Sequence, residues 1–443
     1  MLNILVLDPY PKASHRICKD NAGAYGTANH YGDNLFCKLL SLLVRYSDKS
    51  PPLFAAQIIG ELESSGHQVE YSQTINNKEY DLYIVISSIV CHETEINVIK
   101  TLKSQNKNII AAGPFATSVP ENYLKAGAKV VFGEPDMYFH KFSLNKKELG
   151  SLPEKINNFP IYDINEMSLP GWETIFKSVN PTMKFLGSGG SIYIQSSRGC
   201  PYPCFYYCTY PTQQGRKLRF RNVAKILEEM NYFYKKLNIK NFVFRDPVFA
   251  ISKKHTMELC ENLIKNPVKF NICIETHLNN IDEELAKNLL TAGVKLIYVG
   301  IESGVEEIRK VSHRLSETND KQIEKIRYLE KIGLKVKANY IIGLPEDTEE
   351  TYLRTLDYAK IVNSSYAQFS VFTPYPGTPS YLDYKDRILT DKYENFTQWQ
   401  LIFRHKNFTT KKINELLSKS YTDYYLNIKW LIKYMKNKIL FKN

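Results

Sequence analysis

Three cysteines within nine residues carry the densest chemistry in this sequence. The segment reads Arg198-Gly199-Cys200-Pro201-Tyr202-Pro203-Cys204-Phe205-Tyr206-Tyr207-Cys208. Three thiolates on one loop can each hold one iron of a 4Fe–4S cluster and leave the fourth iron open to an exchangeable ligand. Pro201 and Pro203 stiffen the loop and remove two backbone donors. The aromatic residues between them can shield a cluster from water and so tune its potential. A structural zinc ion or three free thiols are the other readings. Zinc usually takes four nitrogen or sulfur ligands in a closed site, and no second Cys or His pair lies nearby, so the loop favours the cluster. Cys18, Cys37, Cys91, Cys260 and Cys273 are scattered. Eight cysteines in 443 residues do not make a secreted disulfide scaffold. Cys260 and Cys273 read as small packed hydrophobes.

Such a loop needs a scaffold. The length exceeds one ordinary core, at about 100–200 residues per domain. Residues 1–140 alternate strand and helix signals: strands at 3–8, 69–71, 82–86, 108–112 and 129–132, helices at 52–65, 93–104 and 120–126. Alternation of this kind predicts an α/β fold with a doubly wound parallel sheet. Its ligands would sit beyond the strands' carboxyl ends, where the sequence places Asp8, Ser87, Gly113, Gly133 and Glu134. Residues 141–190 are richer in Pro, Asn, Ser and Gly and read as a linker. From Ser191 to about residue 385 six strand–helix repeats predict a (β/α)6 partial TIM barrel. Its strands are expected at 191–196, 241–245, 271–275, 295–301, 335–342 and 368–372, with the chemistry at their carboxyl ends. The cysteine loop follows the first of them. Residues 386–443 look helical and basic.

Five further stretches fall at the ends of the later barrel strands. They are Phe244-Arg245-Asp246-Pro247, Ile274-Glu275-Thr276-His277, Gly300-Ile301-Glu302-Ser303-Gly304, Gly343-Leu344-Pro345-Glu346-Asp347-Thr348 and Thr373-Pro374-Tyr375-Pro376-Gly377. With the cysteine loop they resemble the radical S-adenosylmethionine (SAM) superfamily over roughly residues 190–385. Most members space their ligands C-x3-C-x2-C, and this chain has C-x3-C-x3-C. The resemblance implies a 4Fe–4S cluster on Cys200, Cys204 and Cys208, with SAM chelating the open iron. It implies SAM contacts at Asp246, Glu275, Gly300, Glu302, Ser303 and Gly343. Asp246 would accept from the SAM ammonium and Glu275 from the ribose, and Gly300 and Gly304 would let the backbone approach adenine. Each glycine also reads as an ordinary turn, and Glu302 as a carboxylate at a helix N-terminus.

The N-terminal pattern resembles the cobalamin-binding domain of one large radical SAM class. The matching stretches are 52–69, 81–88, 112–121 and 130–136, with Ser87, Gly113, Gly133 and Glu134 as contacts. The D-x-H-x-x-G motif that supplies a lower histidine ligand is absent: none of the nine histidines has Asp two residues before it. His15, His30 and His92 are the histidines that could approach a corrin, and each reads better as a loop residue. A corrin-free domain used for packing or substrate binding is the other reading. The stretch 35–44 reads as a packed helix.

The resemblance implies an enzyme that forms a 5′-deoxyadenosyl radical and methylates an unactivated carbon or phosphorus centre through methylcobalamin. It implies a small-molecule or peptide substrate and an electron donor such as flavodoxin or ferredoxin. A radical SAM cyclase or rearrangement enzyme is the first alternative, and a non-catalytic iron–sulfur or corrin sensor the second. No N-terminal cysteine triad supports a methylthiotransferase. The net charge of +12 concentrates in residues 404–443, where ten Lys/Arg face only Glu415 and Asp423. The bland reading is a helix that caps the barrel and shows lysines to water; nucleic acid is disfavoured, and a peripheral membrane contact stays open. With no run of about 18 apolar residues and no signal-peptide pattern at Met1–Asp8, a cytoplasmic location is expected.

Overall fold

A computed structural model describes residues 1–12, 16–45, 48–143 and 145–440. The first apolar run forms β1 (Asn3–Leu7). Residues Leu35–Val44 form α1 and Leu53–Ser64 form α2. Then follow β2 (Gln68–Ser72), β3 (Leu82–Ile86), α3 (His92–Ser104), β4 (Ile109–Ala112), α4 (Pro120–Ala126) and β5 (Lys129–Val131). A short strand, β6 (Lys155–Ile156), closes a six-stranded parallel sheet of order β2-β1-β3-β4-β5-β6. All five residues of β3 are buried, as a central parallel strand covered on both faces requires.

The stretch read as a linker is packed structure. It supplies β6, and its Trp172–Phe176 helix buries Trp172. At Gly60 of α2 a Cβ would stand 2.0 Å from the Leu169 carbonyl, so only glycine lets the two segments touch.

The second unit runs β7 (Ser191–Ile194), α5 (Val223–Leu237), β8 (Asn241–Phe244), α6 (Lys253–Lys265), β9 (Asn271–Thr276) and α7 (Glu283–Thr291). It continues through β10 (Val294–Glu302), α8 (Asn319–Lys331), β11 (Lys335–Ile342), α9 (Glu349–Val362) and β12 (Tyr366–Val371). The six strands pair in sequence order, all parallel, and β7 and β12 remain edges of an open barrel. Local chemistry starts the helices. Asn222 accepts from Ala224 N, Asp282 from Leu285 N, and Thr348 and Thr351 bond reciprocally at the start of α9.

The C-terminal α10 (Thr410–Tyr425) lies along β12, and α11 (Ile428–Leu440) follows. Tyr425 Oη accepts from Ala367 N at 3.0 Å and donates to Ala367 O at 2.7 Å. Tyr421 does the same with Phe369 N and O, at 3.0 and 2.7 Å. The hydroxyls of one helix thus satisfy the free ladder groups of an edge strand. This agrees with the expected capping role of the first part of the tail.

The loop from β1 folds back over the sheet's carboxyl edge as a hairpin, Ile17–Cys18 paired with Thr27–Ala28. Its Lys19 lies at the carboxyl ends of β1 and β3, where the strand order reverses. The ammonium is fully buried, 2.9 Å from both Asp8 Oδ1 and Glu95 Oε1, and donates to Ile86 O at 3.1 Å. Burial opposes its charge, but the two carboxylates overcome it and hold Lys19 protonated. Tyr71 donates to Asp8 and Tyr123 to Glu95, each at 2.7 Å. Replacing Lys19 with Met leaves two buried carboxylates uncompensated, so a loss of about 3–5 kcal/mol in unfolding free energy is expected, measurable by urea denaturation.

Candidate active site

The cysteine loop leaves β7 through Ser197–Arg198, which pair antiparallel with Arg219–Phe220. Gly199 has φ +85, and a Cβ there would lie 2.0 Å from Lys217 O, so the loop crosses its neighbour only because this residue is glycine. A 3-10 turn at Pro203–Tyr206 then turns the chain, and Cys208 N bonds back to Cys204 O at 3.1 Å.

Cys200, Cys204 and Cys208 all line one cavity of about 250 Å³ at the carboxyl ends of the barrel strands. Burial pushes all three thiols up; repulsion from neighbouring thiols adds to it at Cys200 and Cys208, and repulsion from Glu302 at Cys204. Three thiolates here therefore require a positive partner, which iron would supply. Among the described residues no three His, Cys, Asp or Glu side chains gather around one metal ion. A cluster binds one sulfur per iron, so its ligands need not share a centre, whereas a single zinc ion demands that they do.

The same cavity holds four buried polar atoms without a hydrogen-bond partner: Tyr207 Oη, Tyr210 Oη, Arg314 Nε and Asn339 Oδ1. Buried polar groups are nearly always satisfied, so this set fits a polar ligand such as SAM. Arg314 donates to Gly300 O at 2.6 Å and stands 3.7 Å from Glu302 Oε1. Burial opposes its charge, and Glu302 maintains it. Glu302 is buried, with its carboxyl raised chiefly by burial, and its φ is +70. A left-handed backbone at a non-glycine is strained. It follows the register shift between Gly300 and Glu302 on the ladder to β11, which turns Glu302 into the cavity lining.

Glu275 and Gly300 also line the cavity. Glu275 lies 3.4 Å from Arg245 Nη1. Asp246 does not line it. Its carboxylate is fully buried and accepts from Ser196 N at 2.6 Å, Ser197 N at 3.0 Å and the Ser196 hydroxyl. It braces the start of the cysteine loop, and its neighbours Arg245, Pro247 and Val248 face the cavity instead. Ser303 bonds Thr355 at 3.0 Å and accepts from Val305 N, a packing role. A Cβ on Gly304 would strike Tyr358, so its size serves helix packing. Gly343 makes a turn with φ +71 beside Ile413, outside the cavity lining. Arg314, Tyr207, Tyr210 and Asn339 were not singled out from the sequence. The one signal for Arg314 was its place in the connection that follows Glu302.

At the N-terminal sheet, Ser87 is buried and accepts from Ala116 N at 3.1 Å. Gly113 packs against Ser87 and Phe54, while Gly133 faces open space. Glu134 accepts from Arg198 and from Arg219, and Asp136 also accepts from Arg198. Between sheet and barrel lies a crevice of about 30 Å³, lined by Gln57, Glu134, Gln195, Gln213 and Gln214 among others. Those amides and carboxylates suit the amide-rich rim of a corrin, but the space as folded does not hold one. The hairpin 17–28 fills it: Arg245 pairs with Asp20, and Thr209 donates to Ala22 O. His30 is exposed beside Asp33. His92 is enclosed by Phe115, Tyr123 and Tyr393. His15 lies outside the described residues. The rims of sheet and barrel meet where Tyr25 donates to Pro376 O at 2.7 Å.

The radical SAM superfamily profile matches residues 194–359, the stretch that carries the cysteine loop, Glu275, Glu302 and Arg314. Over this stretch the chain is similar to the radical SAM superfamily. An uncharacterized methyltransferase of Pyrococcus horikoshii is 28% identical over 362 residues, 76% of each chain. Bacteriochlorophyllide d C-12(1)-methyltransferase of Chlorobaculum tepidum is 24% identical, over 81% of this chain and 80% of its own. Among solved structures, the cobalamin-dependent SAM radical enzyme OxsB aligns with 99% of this chain and 69% of its own, at TM-score 0.69 and 12% identity. The radical SAM methyltransferase TsrM of Kitasatospora setae covers 86% of this chain and 75% of its own, at TM-score 0.63 and 14% identity. At such identities the likeness is one of fold, and it spans both the N-terminal sheet and the barrel.

Serine at Cys200, Cys204 or Cys208 should bring bound iron and its visible absorption to background after anaerobic reconstitution. Retained iron in Cys208→Ser would remove that residue from the ligand set. Arg314→Met should weaken SAM binding about 10–100-fold, the worth of a charge-assisted bond, read by equilibrium dialysis. His277 stacks on Tyr202 of the loop and bonds Leu315 O at 2.5 Å and Asn279 N at 3.2 Å. Burial lowers its pKa to about 3, and that of His92 to about 4. Below about pH 6.5 the unfolded chain takes protons that the folded one refuses. Stability should therefore fall with pH from 6.5 towards 4, by about 1.4 kcal/mol per unit for each histidine. His277→Gln should flatten that slope in urea titrations at pH 7 and pH 5.

Proposed function

We propose that this chain methylates an unactivated carbon, or a phosphorus centre, of an organic substrate by SAM-derived radical chemistry, with cobalamin as methyl carrier. The observation that carries the radical step is the cavity that collects three thiols and four buried polar atoms without a hydrogen-bond partner, Arg314 Nε among them, beside Glu302. Methyl transfer is supported by the relatives, which carry methyltransferase names over about four-fifths of this chain. When bound, the 4Fe–4S cluster and SAM would supply a 5′-deoxyadenosyl radical, and cobalamin a transferable methyl group.

The protein's own part is placement. Cys200, Cys204 and Cys208 would hold the cluster, and Arg314 and Glu302 set the charge beside it. Glu275, Tyr210 and Asn339 offer hydrogen bonds along the cavity wall. Ser87, Gly113, Gly133 and Glu134, at the sheet's carboxyl edge, would lie nearest a corrin, which would be held without a histidine ligand. The burial of the wall keeps water from reactive groups. A one-electron donor such as flavodoxin or ferredoxin must reduce the cluster. The substrate is a small molecule or a peptide, and the site is expected to work in the cytoplasm.

The filled crevice supports a second reading, a radical SAM cyclase or rearrangement enzyme without a corrin. Anaerobic reconstitution with iron, sulfide and hydroxocobalamin separates the two. Corrin absorption retained through gel filtration, with faster proteolysis of the hairpin 17–28, is expected for the first reading. Deoxyadenosine formed from SAM by protein that retains no corrin would favour the second. A full cluster that yields no deoxyadenosine under reduction would overturn both.

A further inference from the structure

The helix α1 is built the wrong way round for a surface helix. Its Leu35, Leu39, Leu42 and Leu43 are 75%, 51%, 61% and 77% exposed. They recur at intervals of four, three and one, so they form one apolar stripe. The opposite face is anchored: Cys37 is buried, and Leu40 and Val44 roof a cavity of about 90 Å³ lined also by Arg16, Lys337 and Tyr298. Asn34 and Asp33 fasten the start of α1 to α10 through Thr422 at 2.8 Å and Ser418 at 3.0 Å. The helix is therefore held in place, and its apolar stripe is not a consequence of fraying.

A second stripe lies on α11, where Ile428, Ile432 and Met435 are exposed at 66%, 43% and 55%. Neither helix contains an acidic residue, and between them they carry Lys38, Lys429, Lys433, Lys436 and Lys438, of which Lys433 is paired with Glu330 of α8. Cationic charge beside an apolar stripe repels a second copy of itself and suits an anionic surface. An amphipathic helix of this composition lies in the headgroup region of a bilayer. No helix among the described residues is long and apolar enough to cross one.

We propose that α1 and α11 seat the protein on an anionic lipid bilayer, with the leucine stripe of α1 in the acyl boundary and the lysines at the headgroups. The cavity roofed by α1 then opens beside the bilayer. Docking does not depend on the methyl-transfer reading, because it rests on the exposed stripes of α1 and α11 and not on the residues of the cysteine cavity.

Flotation of the full-length, reconstituted protein with phosphatidylcholine vesicles, with and without a quarter phosphatidylglycerol, tests this. Binding to the anionic vesicles is expected, falling with added salt as screening requires. L39E/L42E should reduce it by ~10-fold or more, and K429E/K436E by a smaller factor. Circular dichroism and deoxyadenosine formation should be unchanged in both variants, and L39S/L42S replaces the first if glutamate perturbs folding. No flotation with anionic vesicles, or flotation indifferent to the leucine substitutions, would overturn the proposal. So would concentration-dependent dimers, abolished by L39E/L42E, in protein that does not float.

Discussion

Arg198 joins the two halves of this molecule. Its guanidinium is buried and shared between Glu134 and Asp136 at the sheet's carboxyl edge, and it sits two residues before the first cysteine. Burial works against the charge, and the two carboxylates more than restore it. A planar, bidentate cation is the group that can bridge two acids in fixed geometry. The position of the cysteine loop is therefore set as much by the N-terminal sheet as by the barrel from which it springs. Asp246 completes the arrangement from the other side by tying Ser196 and Ser197 down. The loop is clamped at its root, and the C-x3-C-x3-C spacing has a fixed frame in which to be read.

The N-terminal unit shows how a ligand-binding fold can be filled by its own chain. Doubly wound sheets leave a crevice where strand order reverses. Here Lys19 enters that crevice and finds two carboxylates and a strand-end carbonyl. A buried pair of this kind holds a unique arrangement without adding much stability over apolar packing. Any guest at the β1/β3 corner competes with an internal ammonium that already has all three partners.

The barrel was legible in the sequence because its strands are short apolar runs separated by helices with clear starts. The six strands fall within two residues of their expected ends at most positions. The strand β6 was not legible: Lys155–Ile156 is a two-residue strand within a polar stretch, and only the neighbouring edge gives it a partner. At the site, period-two alternation fixes which face a strand residue takes, but the residue after a strand escapes that rule. Asp246 is such a residue, and it turned inward to the loop's backbone while Arg245 took the cavity. Glu302 and Glu275 were found because they belong to strand-end stretches that resemble the superfamily's motifs. Arg314 was not, since it reaches the cavity from a connection whose path no spacing encodes.

The barrel is open, and its last strand would present bare donors and acceptors to any passing chain. Tyrosines of α10 pair with that strand at alternate residues, so a helix does the work of a seventh strand. The fold is thus guarded at its seam by a segment made after the barrel itself. Until α10 is synthesised and docked, the nascent barrel carries a sticky margin, and a ribosome that stops short of Thr410 would release a protein inclined to stack edge to edge.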